Sequence, residues 1–184
     1  MSRLNHINPE AAEGEASKLY EKIQRQLGGV PNFMQILANS PPALSAFMNF
    51  NGELSRGSLE SKIRERIALS TAEANGCEYC VSAHTALGEK AGLSPAEIAA
   101  ARVSSSGDVR ARAALEFATT VLEQRGDVTT DELNTVRSAG FDDGQIVEII
   151  AHVALNVLTN FLGKVGQIDI DFPRIELLNK VAVA

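Results

Sequence analysis

Short capping motifs divide this chain into segments with helical periodicity, and they constrain the fold more than any other feature. Three follow the pattern in which a capping side chain precedes Glu or Gln by three residues: SPAE from Ser94, TTDE from Thr129 and DDGQ from Asp142. No run of alternating apolar and polar residues is long enough to predict a sheet. The sequence therefore predicts an all-α fold, with one domain over residues 1–184 and roughly eight helices.

Between the other predicted helices, single residues indicate where a helix begins or ends. Asn8 followed by proline predicts a helix start, and Ser58 predicts the start of a helix over LESKIRERIALSTAEA. Asn75 and Gly76 can end that helix, and the cysteine-containing segment then continues as a helix to about Gly92. The stretch QIDIDF, residues 167–172, is the one short candidate for extended chain.

Composition and charge exclude several classes of function. The chain has 184 residues, 45% hydrophobic and 22% charged, which is an ordinary globular balance. Its net charge is −6 and no Lys/Arg cluster stands out, so nucleic acid is not an expected partner. The N-terminus lacks a signal-peptide core, and no apolar run predicts a membrane span. We expect a cytoplasmic protein with no membrane partner.

The only two cysteines, Cys77 and Cys80, form a CxxC motif with His84 four residues later. On a helix the cysteines lie about 60° apart, and His84 falls between about 20° and 40° from them. Since helical side chains lean toward the N-terminus, His84 reaches back over Cys80 and can take a thiol proton. In a reducing cytosol a lone cysteine pair is seldom a structural staple, so metal binding and redox chemistry are the leading readings.

Zinc, haem attachment and inert thiols are the alternatives to a redox pair. Structural zinc needs four ligands, and there is no second cysteine pair or paired-His motif. A three-ligand zinc site stays open, although no metal is expected. The haem and zinc-deaminase motifs each lack required residues. A redox pair explains the arrangement better, because a helix N-terminus and a nearby base favour a thiolate, and a second thiol one turn away resolves a sulfenic acid.

Glu65 is a candidate carboxylate partner for His84. If the chain reverses at Asn75-Gly76, Glu65 lies ten residues before the turn and His84 eight after it, so the two can face each other across an antiparallel hairpin. A carboxylate there would set the tautomer of His84 and raise its basicity. The alternative is a solvated surface charge, because the surrounding KIRERI is highly charged.

At these residues the sequence resembles the carboxymuconolactone decarboxylase / alkylhydroperoxidase D (AhpD) superfamily. The redox branch of that superfamily has a Glu, eleven residues, then CxxC and a His four beyond, and Glu65, Cys77, Cys80 and His84 meet this pattern. The resemblance extends over most of the chain, from GGVPNFMQILANSPPALSAF to HVALNVLTNFLGKVGQIDIDFP. These flanks are most similar to the group called peroxidase-related proteins.

The resemblance implies an AhpD-like helical bundle, with the redox core at about 44–125, and cysteine-based reduction of small hydroperoxides. Cys80 would attack the peroxide, Cys77 would resolve it as a disulfide, and His84 with Glu65 would relay protons. AhpD has a further His where this chain has Tyr79. The resemblance also implies homo-oligomers such as trimers or hexamers. No cofactor is expected beyond an external thiol reductant protein or dihydrolipoyl-type dithiol.

Two further classes of function stay open. One is a decarboxylase-like lyase or hydrolase that uses His84 and Glu65 as acid and base, although the family's decarboxylases generally lack the CxxC pair. The other is a non-enzymatic redox sensor or metal-binding module.

A second polar feature lies on the most apolar predicted helix. Polar residues recur there every four positions, at Glu148, His152, Asn156 and Asn160. Buried polar groups are costly unless they are hydrogen-bonded, so the stripe predicts either a pocket wall near the thiols or a bonded core network. Tyr79, His152 and Asn156 are accordingly candidates for substrate binding.

Overall fold

The computed structural model describes residues 1–178. Over this range the chain forms nine α-helices and a short 3-10 helix at Pro9–Ala11, with no strand. The helices are α1 (Gly14–Leu27), α2 (Asn32–Leu37), α3 (Pro41–Ser55), α4 (Ser61–Ala74), α5 (Glu78–Lys90), α6 (Pro95–Arg102), α7 (Val109–Glu123), α8 (Thr130–Ser138) and α9 (Asp143–Gly166). The prediction of one all-helical domain with roughly eight helices is confirmed.

The capping motifs begin helices as predicted. The side chains of Ser94, Thr129 and Asp142 each accept a hydrogen bond from the backbone N–H three residues later, and complete capping boxes start α6, α8 and α9. Gly28 ends α1 with a φ of 79°, in the left-handed region that glycine adopts without strain. Residues 168–171 have no regular secondary structure and residue 172 lies in a bend, so the candidate extended stretch forms no strand.

Two predicted helix starts are wrong by several residues. Asn8 caps the 3-10 helix, whereas α1 begins only at Gly14. Helix α4 begins at Ser61 rather than near Ser58, because the Glu148 carboxylate accepts hydrogen bonds from the N–H groups of Ser58 and Leu59 at 2.9 Å. A contact from a distant helix therefore replaces the local cap that the sequence indicated.

Helix α4 lies at the centre of the bundle and contacts α5, α6, α7 and α9. One core cluster joins α1, α2, α3 and α5, and includes both cysteines. A second cluster joins α4, α7, α8 and α9. The α4–α5 hairpin packs beside α9, so this arrangement brings the CxxC segment and the polar stripe of α9 to the same region.

Helix α9 is long and apolar enough, by length and composition, to cross a bilayer, which the sequence reading did not anticipate. Its packing explains this composition. The helix contacts α3, α4, α5 and α7, and 44% of its most apolar window is buried within the bundle. It also keeps an exposed apolar strip, so it is apolar on more than its core face. Helix α9 is therefore packed in the bundle along one face and apolar along a second, exposed face.

Candidate redox site

The two cysteines lie at the start of α5, where the chain turns sharply after α4. Gly76 has a φ of 66°, which lets the backbone reverse between the two helices. Cys77 is the N-cap of α5, and its Sγ accepts the Cys80 N–H at 3.3 Å. A disulfide joins Cys77 and Cys80, with their Cα atoms 5.3 Å apart. Both side chains are buried.

Glu65 and His84 meet across the α4–α5 hairpin. Glu65 Oε2 lies 2.9 Å from His84 Nδ1, and the two side chains are 21% and 22% exposed. Glu65 is thus a paired, largely buried carboxylate and not a fully solvated surface charge. The contact at Nδ1 leaves Nε2 as the ring nitrogen for other partners, and His84 lies one helical turn beyond Cys80.

Gly163 of α9 packs directly on the disulfide. A Cβ atom placed on this glycine would stand 2.7 Å from Cys77 Sγ and 3.5 Å from Cys80 Sγ, so no larger residue fits without movement. The sequence analysis did not predict Gly163 as a site residue. The feature that could have indicated it is a glycine inside an apolar helical segment. Such a glycine costs about 1 kcal/mol relative to alanine, so it usually marks a place where another group packs closely against the helix.

His152 is buried within range of the charges of Glu65 and His84. It is 6% exposed, its Nε2 has no hydrogen-bond partner among the described residues, and its charge state is coupled to those of both Glu65 and His84. Burial, reinforced by the positive charge of Arg64, lowers the pKa of His152 to about 4. His152 is therefore neutral near pH 7, and its Nε2 is an unused polar atom in the described part of the chain.

The other members of the polar stripe are bonded to the protein. Glu148 binds the segment before α4, and although burial opposes it, N–H donation by Ser58 and Leu59 lowers its pKa. Asn156 Nδ2 donates to the His152 carbonyl. Asn160 is fully buried, and its Oδ1 accepts from Asn75 Nδ2 at 2.9 Å, while its own Nδ2 has no hydrogen-bond partner among the described residues. The stripe is therefore a hydrogen-bonded network with unpaired buried groups at His152 and Asn160.

Tyr79 lies away from the Glu65–His84 pair. Its hydroxyl accepts the Phe33 N–H at 3.2 Å, and its ring packs edge-on against Phe172. Burial raises the pKa of this hydroxyl, assisted by the negative charge of Asp171. Tyr79 therefore supports the packing of α5 against α2 and the C-terminal segment.

Comparisons with known proteins agree with this architecture. The profile of the carboxymuconolactone decarboxylase family matches residues 41–120, which contain Glu65, both cysteines and His84. No curated protein sequence matches the chain.

Three solved structures illustrate the structural likeness. A peroxidase-related protein with an alkylhydroperoxidase AhpD core, from Ralstonia eutropha JMP134, is 27% identical, with 92% of each chain covered and a TM-score of 0.84. An Agrobacterium tumefaciens protein described as an antioxidant defence protein of the AhpD type is 25% identical, with 73% of this chain and 94% of that chain covered and a TM-score of 0.65. The debrominase Bmp8 is 17% identical, with 92% of each chain covered and a TM-score of 0.75, which shows a shared fold alone.

Within residues 1–178 the protein is all-helical, and its CxxC pair lies at the N-terminus of α5, the second helix of the central α4–α5 hairpin. Residues 41–120 match the carboxymuconolactone decarboxylase family, and the chain shares its fold with AhpD-like peroxidase-related proteins, so both comparisons support a place in the carboxymuconolactone decarboxylase/AhpD-like superfamily. At the family level, this likeness and the peroxidase-related neighbours support an antioxidant, peroxidase-like role. The debrominase indicates that the same fold also serves other chemistry.

Proposed function

We propose that this protein is a cysteine-based peroxidase that reduces small hydroperoxides through Cys77 and Cys80. The observation that carries the proposal is the Cys77–Cys80 disulfide at the N-terminus of α5, one turn from the paired His84 and Glu65. A pair of thiols that can close and reopen supplies the two electrons that cleavage of one O–O bond requires. The oriented histidine supplies the proton transfers.

In the oxidative half-reaction His84 Nε2 accepts the Cys80 thiol proton, and the thiolate attacks the terminal oxygen of ROOH. The O–O bond breaks, Cys80 becomes a sulfenic acid, and the leaving RO⁻ takes the proton back as ROH. The Cys77 thiol then displaces hydroxide from the sulfenic acid, and one water leaves as the disulfide forms. Glu65 holds Nδ1 of His84, so that Nε2 is the nitrogen that handles the proton.

In the reductive half-reaction an external dithiol returns two electrons and is itself oxidised to a disulfide. The cycle therefore needs no bound cofactor, only a small hydroperoxide and a thiol reductant protein or dihydrolipoyl-type dithiol. This chemistry suits the cytoplasm, where a reducing thiol pool is maintained.

His152 supports the substrate side of the proposed site. Its buried Nε2 lacks a partner in the described part of the chain, and a hydroperoxide oxygen would satisfy it. Asn156 and Tyr79 contribute less to substrate binding in this proposal, because their polar groups already bond to His152 O and to Phe33 N–H.

The test is peroxide consumption with a dithiol present. The wild-type protein is expected to turn over, and mass spectrometry should show two hydrogens lost on oxidation and regained on reduction. Cys80→Ser should abolish turnover. Free thiols that persist under excess peroxide would overturn the proposal.

A second candidate function rests on the intact Glu65–His84 pair. An acid/base pair with Glu65 Oε2 2.9 Å from His84 Nδ1 can catalyse a lyase or hydrolase reaction without oxidation or reduction of the thiols. The double variant Cys77→Ser/Cys80→Ser separates the two functions. An acid/base lyase keeps its activity in this variant, whereas a thiol peroxidase loses it.

We also propose that α9 mediates self-association between copies of this chain. Large apolar side chains lie along its outer face at spacings of three, eight, three and four residues, and they are exposed: Val147 64%, Ile150 42%, Leu158 50%, Phe161 56% and Val165 63%. The small Ala154 occupies the intervening position of this face. Such a strip, several turns long, matches the seam through which helices pair. Exposed apolar patches of a few hundred Å² mark association surfaces. A homo-oligomer, as trimer or hexamer, is the expected form.

A further inference from the structure

The C-terminal segment, residues 168–178, lies against α5 and has no helix or strand of its own. It packs on the core cluster that contains both cysteines through the apolar side chains of Ile170, Phe172, Ile175 and Leu177. In this arrangement Cys77 and Cys80 are only 1% and 4% exposed. The segment therefore covers part of the cluster in which the disulfide is buried.

The middle of the C-terminal segment is held by two side chains of the first turn of α5. The Arg174 guanidinium donates hydrogen bonds to both carboxylate oxygens of Glu78, at 2.8 and 3.2 Å. The Phe172 ring packs edge-on against Tyr79. Glu78 and Tyr79 are also the two residues between the cysteines, so the loop that the disulfide closes is the loop that holds the segment.

A hydroxyl group adds a second link between the CxxC loop and the C-terminal segment. Ser82 Oγ donates to the Glu78 carbonyl at 2.9 Å and accepts the Ile175 N–H at 3.0 Å. Because one hydroxyl bridges both groups, a shift of the Glu78 backbone changes the acceptor that holds Ile175. The middle of the segment is thus tied to the CxxC loop through backbone and side-chain atoms.

The far end of the C-terminal segment is anchored outside the CxxC loop. Glu73 of α4 and Arg102 of α6 form an ion pair at 2.7 Å, in which both side chains are 11% exposed. Glu73 Oε1 accepts the Leu178 N–H, and Arg102 donates to the Glu176 carbonyl, both at 2.6 Å. This anchor includes no residue of the loop, so it should not respond to the state of the disulfide.

Reduction of the disulfide requires movement within the CxxC loop. An external dithiol breaks the S–S bond and supplies two electrons and two protons, and the two resulting thiol sulfurs separate to van der Waals contact. The α9 backbone leaves no room, because a Cβ on Gly163 would already lie 2.7 Å from Cys77 Sγ. On the other side lies a cavity of about 670 Å³, whose wall includes Cys77, Glu78 and Arg174. Displacement of the loop toward this cavity disturbs the contacts of Glu78 with the segment.

We propose that the C-terminal segment is a redox-sensitive cover, closed on α5 while the Cys77–Cys80 disulfide is intact and open at its middle when the pair is reduced. The inference rests on the proposed function only for the reversibility of the disulfide, and it is independent of which oxidant closes it. Opening uncovers the reduced thiols for their next reaction, and closure shields the disulfide once it has formed.

The test measures amide hydrogen exchange at two positions of the C-terminal segment. Protein oxidised with diamide is compared with protein reduced with dithiothreitol, by NMR or by mass spectrometry at residue resolution. The Ile175 amide should exchange roughly tenfold faster after reduction, because it loses one hydrogen bond. The Leu178 amide, which Glu73 holds, is the internal reference and should keep its rate.

Substitutions separate this coupling from a general loosening of the fold. Cys77→Ser/Cys80→Ser cannot form the bond, so its Ile175 amide should exchange at the reduced rate with and without dithiothreitol. Arg174→Gln should speed Ile175 exchange in the oxidised protein and narrow the difference between the redox states. Arg137→Gln is the matched control and should keep the full difference, because Arg137 is likewise an exposed arginine paired with a carboxylate, but on α8.

Equal Ile175 exchange in the two redox states, or slower exchange after reduction, would refute the proposal. An equal acceleration at Leu178 would also refute it, because the anchor outside the loop would then have loosened as well. Peroxide turnover is measured separately. A cover that fails this test leaves the peroxidase proposal standing, and a protein without peroxide turnover can still show a redox-dependent cover.

Discussion

Gly163 and Cys77 are in such close contact that no side chain can stand between them. A Cβ at position 163 would lie 2.7 Å from Cys77 Sγ, well inside van der Waals contact. The glycine comes from α9 and the cysteine from the start of α5, so one helix forms the back wall of the redox pair on another. The pair can therefore be perturbed from α9 without changing either cysteine.

Gly163→Ala should destabilise the protein and slow closure of the disulfide. The added methyl group must displace a buried sulfur, and overpacking of this kind costs about 1–3 kcal/mol. Gly52→Ala is the matched control, because Gly52 also lies within a helix but a Cβ there meets nothing within 4 Å. That control should be neutral or slightly stabilising. Chemical denaturation measures stability, and alkylation with mass spectrometry measures the disulfide. Equal effects of the two alanines would contradict the packing argument.

Cys80 is expected to be the thiol that forms the sulfenic acid. The structure also provides a competing effect, because Cys77 caps α5 and its Sγ accepts the Cys80 N–H. His84, a specific base one turn from Cys80, should outweigh it. Dimedone should label Cys80 in Cys77→Ser after peroxide treatment. Labelling of Cys77 in Cys80→Ser, with none at Cys80 in the other variant, would reverse the assignment.

Glu65 should act through His84 and not on a cysteine directly. Glu65→Gln is expected to slow disulfide formation about tenfold, since it weakens the orientation and basicity of the imidazole. His84→Ala should slow it about 100-fold. In the double variant the Glu65 change should be nearly silent, because groups that act as one unit are not additive. Simple additivity of the two effects would show that the pair forms no relay.

His152 should make the stability of the fold depend on acid pH. Its folded-state pKa is lowered from 6.5 to about 4, so the unfolded chain binds a proton that the folded chain excludes. Its contribution to stability is present above about pH 6.5 and is lost as the pH falls toward 4. The size is about 3 kcal/mol, at 1.36 kcal/mol per pKa unit.

His152→Gln should flatten this part of the stability profile. Urea denaturation between pH 7 and pH 4 measures the difference between variant and wild type. His6→Gln is the control, because His6 lies at the other end of the chain and hydrogen-bonds Ser2 and Gln35. A wild-type profile that keeps its slope in His152→Gln would show that another group titrates.

Phe161→Glu should dissociate the proposed oligomer. The ring is 56% exposed in the C-terminal half of the apolar strip of α9, and a carboxylate there would have to be desolvated in an interface. Val109→Glu is the control, because Val109 is 73% exposed on α7, outside this strip. Light scattering should show a smaller particle for Phe161→Glu alone. Unchanged mass in that variant would exclude α9 as the interface.

Local sequence signals predicted the helices and part of the site. The capping boxes at Ser94 and Thr129 work within one turn, so they can be identified without knowledge of the rest of the chain. The Glu65–His84 contact could also be predicted from the sequence. A short turn at Gly76 joins two helices of known period, and this fixes which positions face each other. The sequence could not decide between this pairing and a solvated charge, since facing positions still depend on how closely the helices pack.

The tertiary structure alone decided what α9 does to the site. Gly163, His152 and Glu148 act on residues in the α4–α5 hairpin or just before it, about 70 to 90 positions away in the chain. Helical periodicity showed that the polar residues share a face, but it carries no information on which helix that face meets. Those contacts follow from the packing of the whole bundle, because burial of the apolar faces fixes the position of α9 and the redox pair must fit against whatever side chains that position presents.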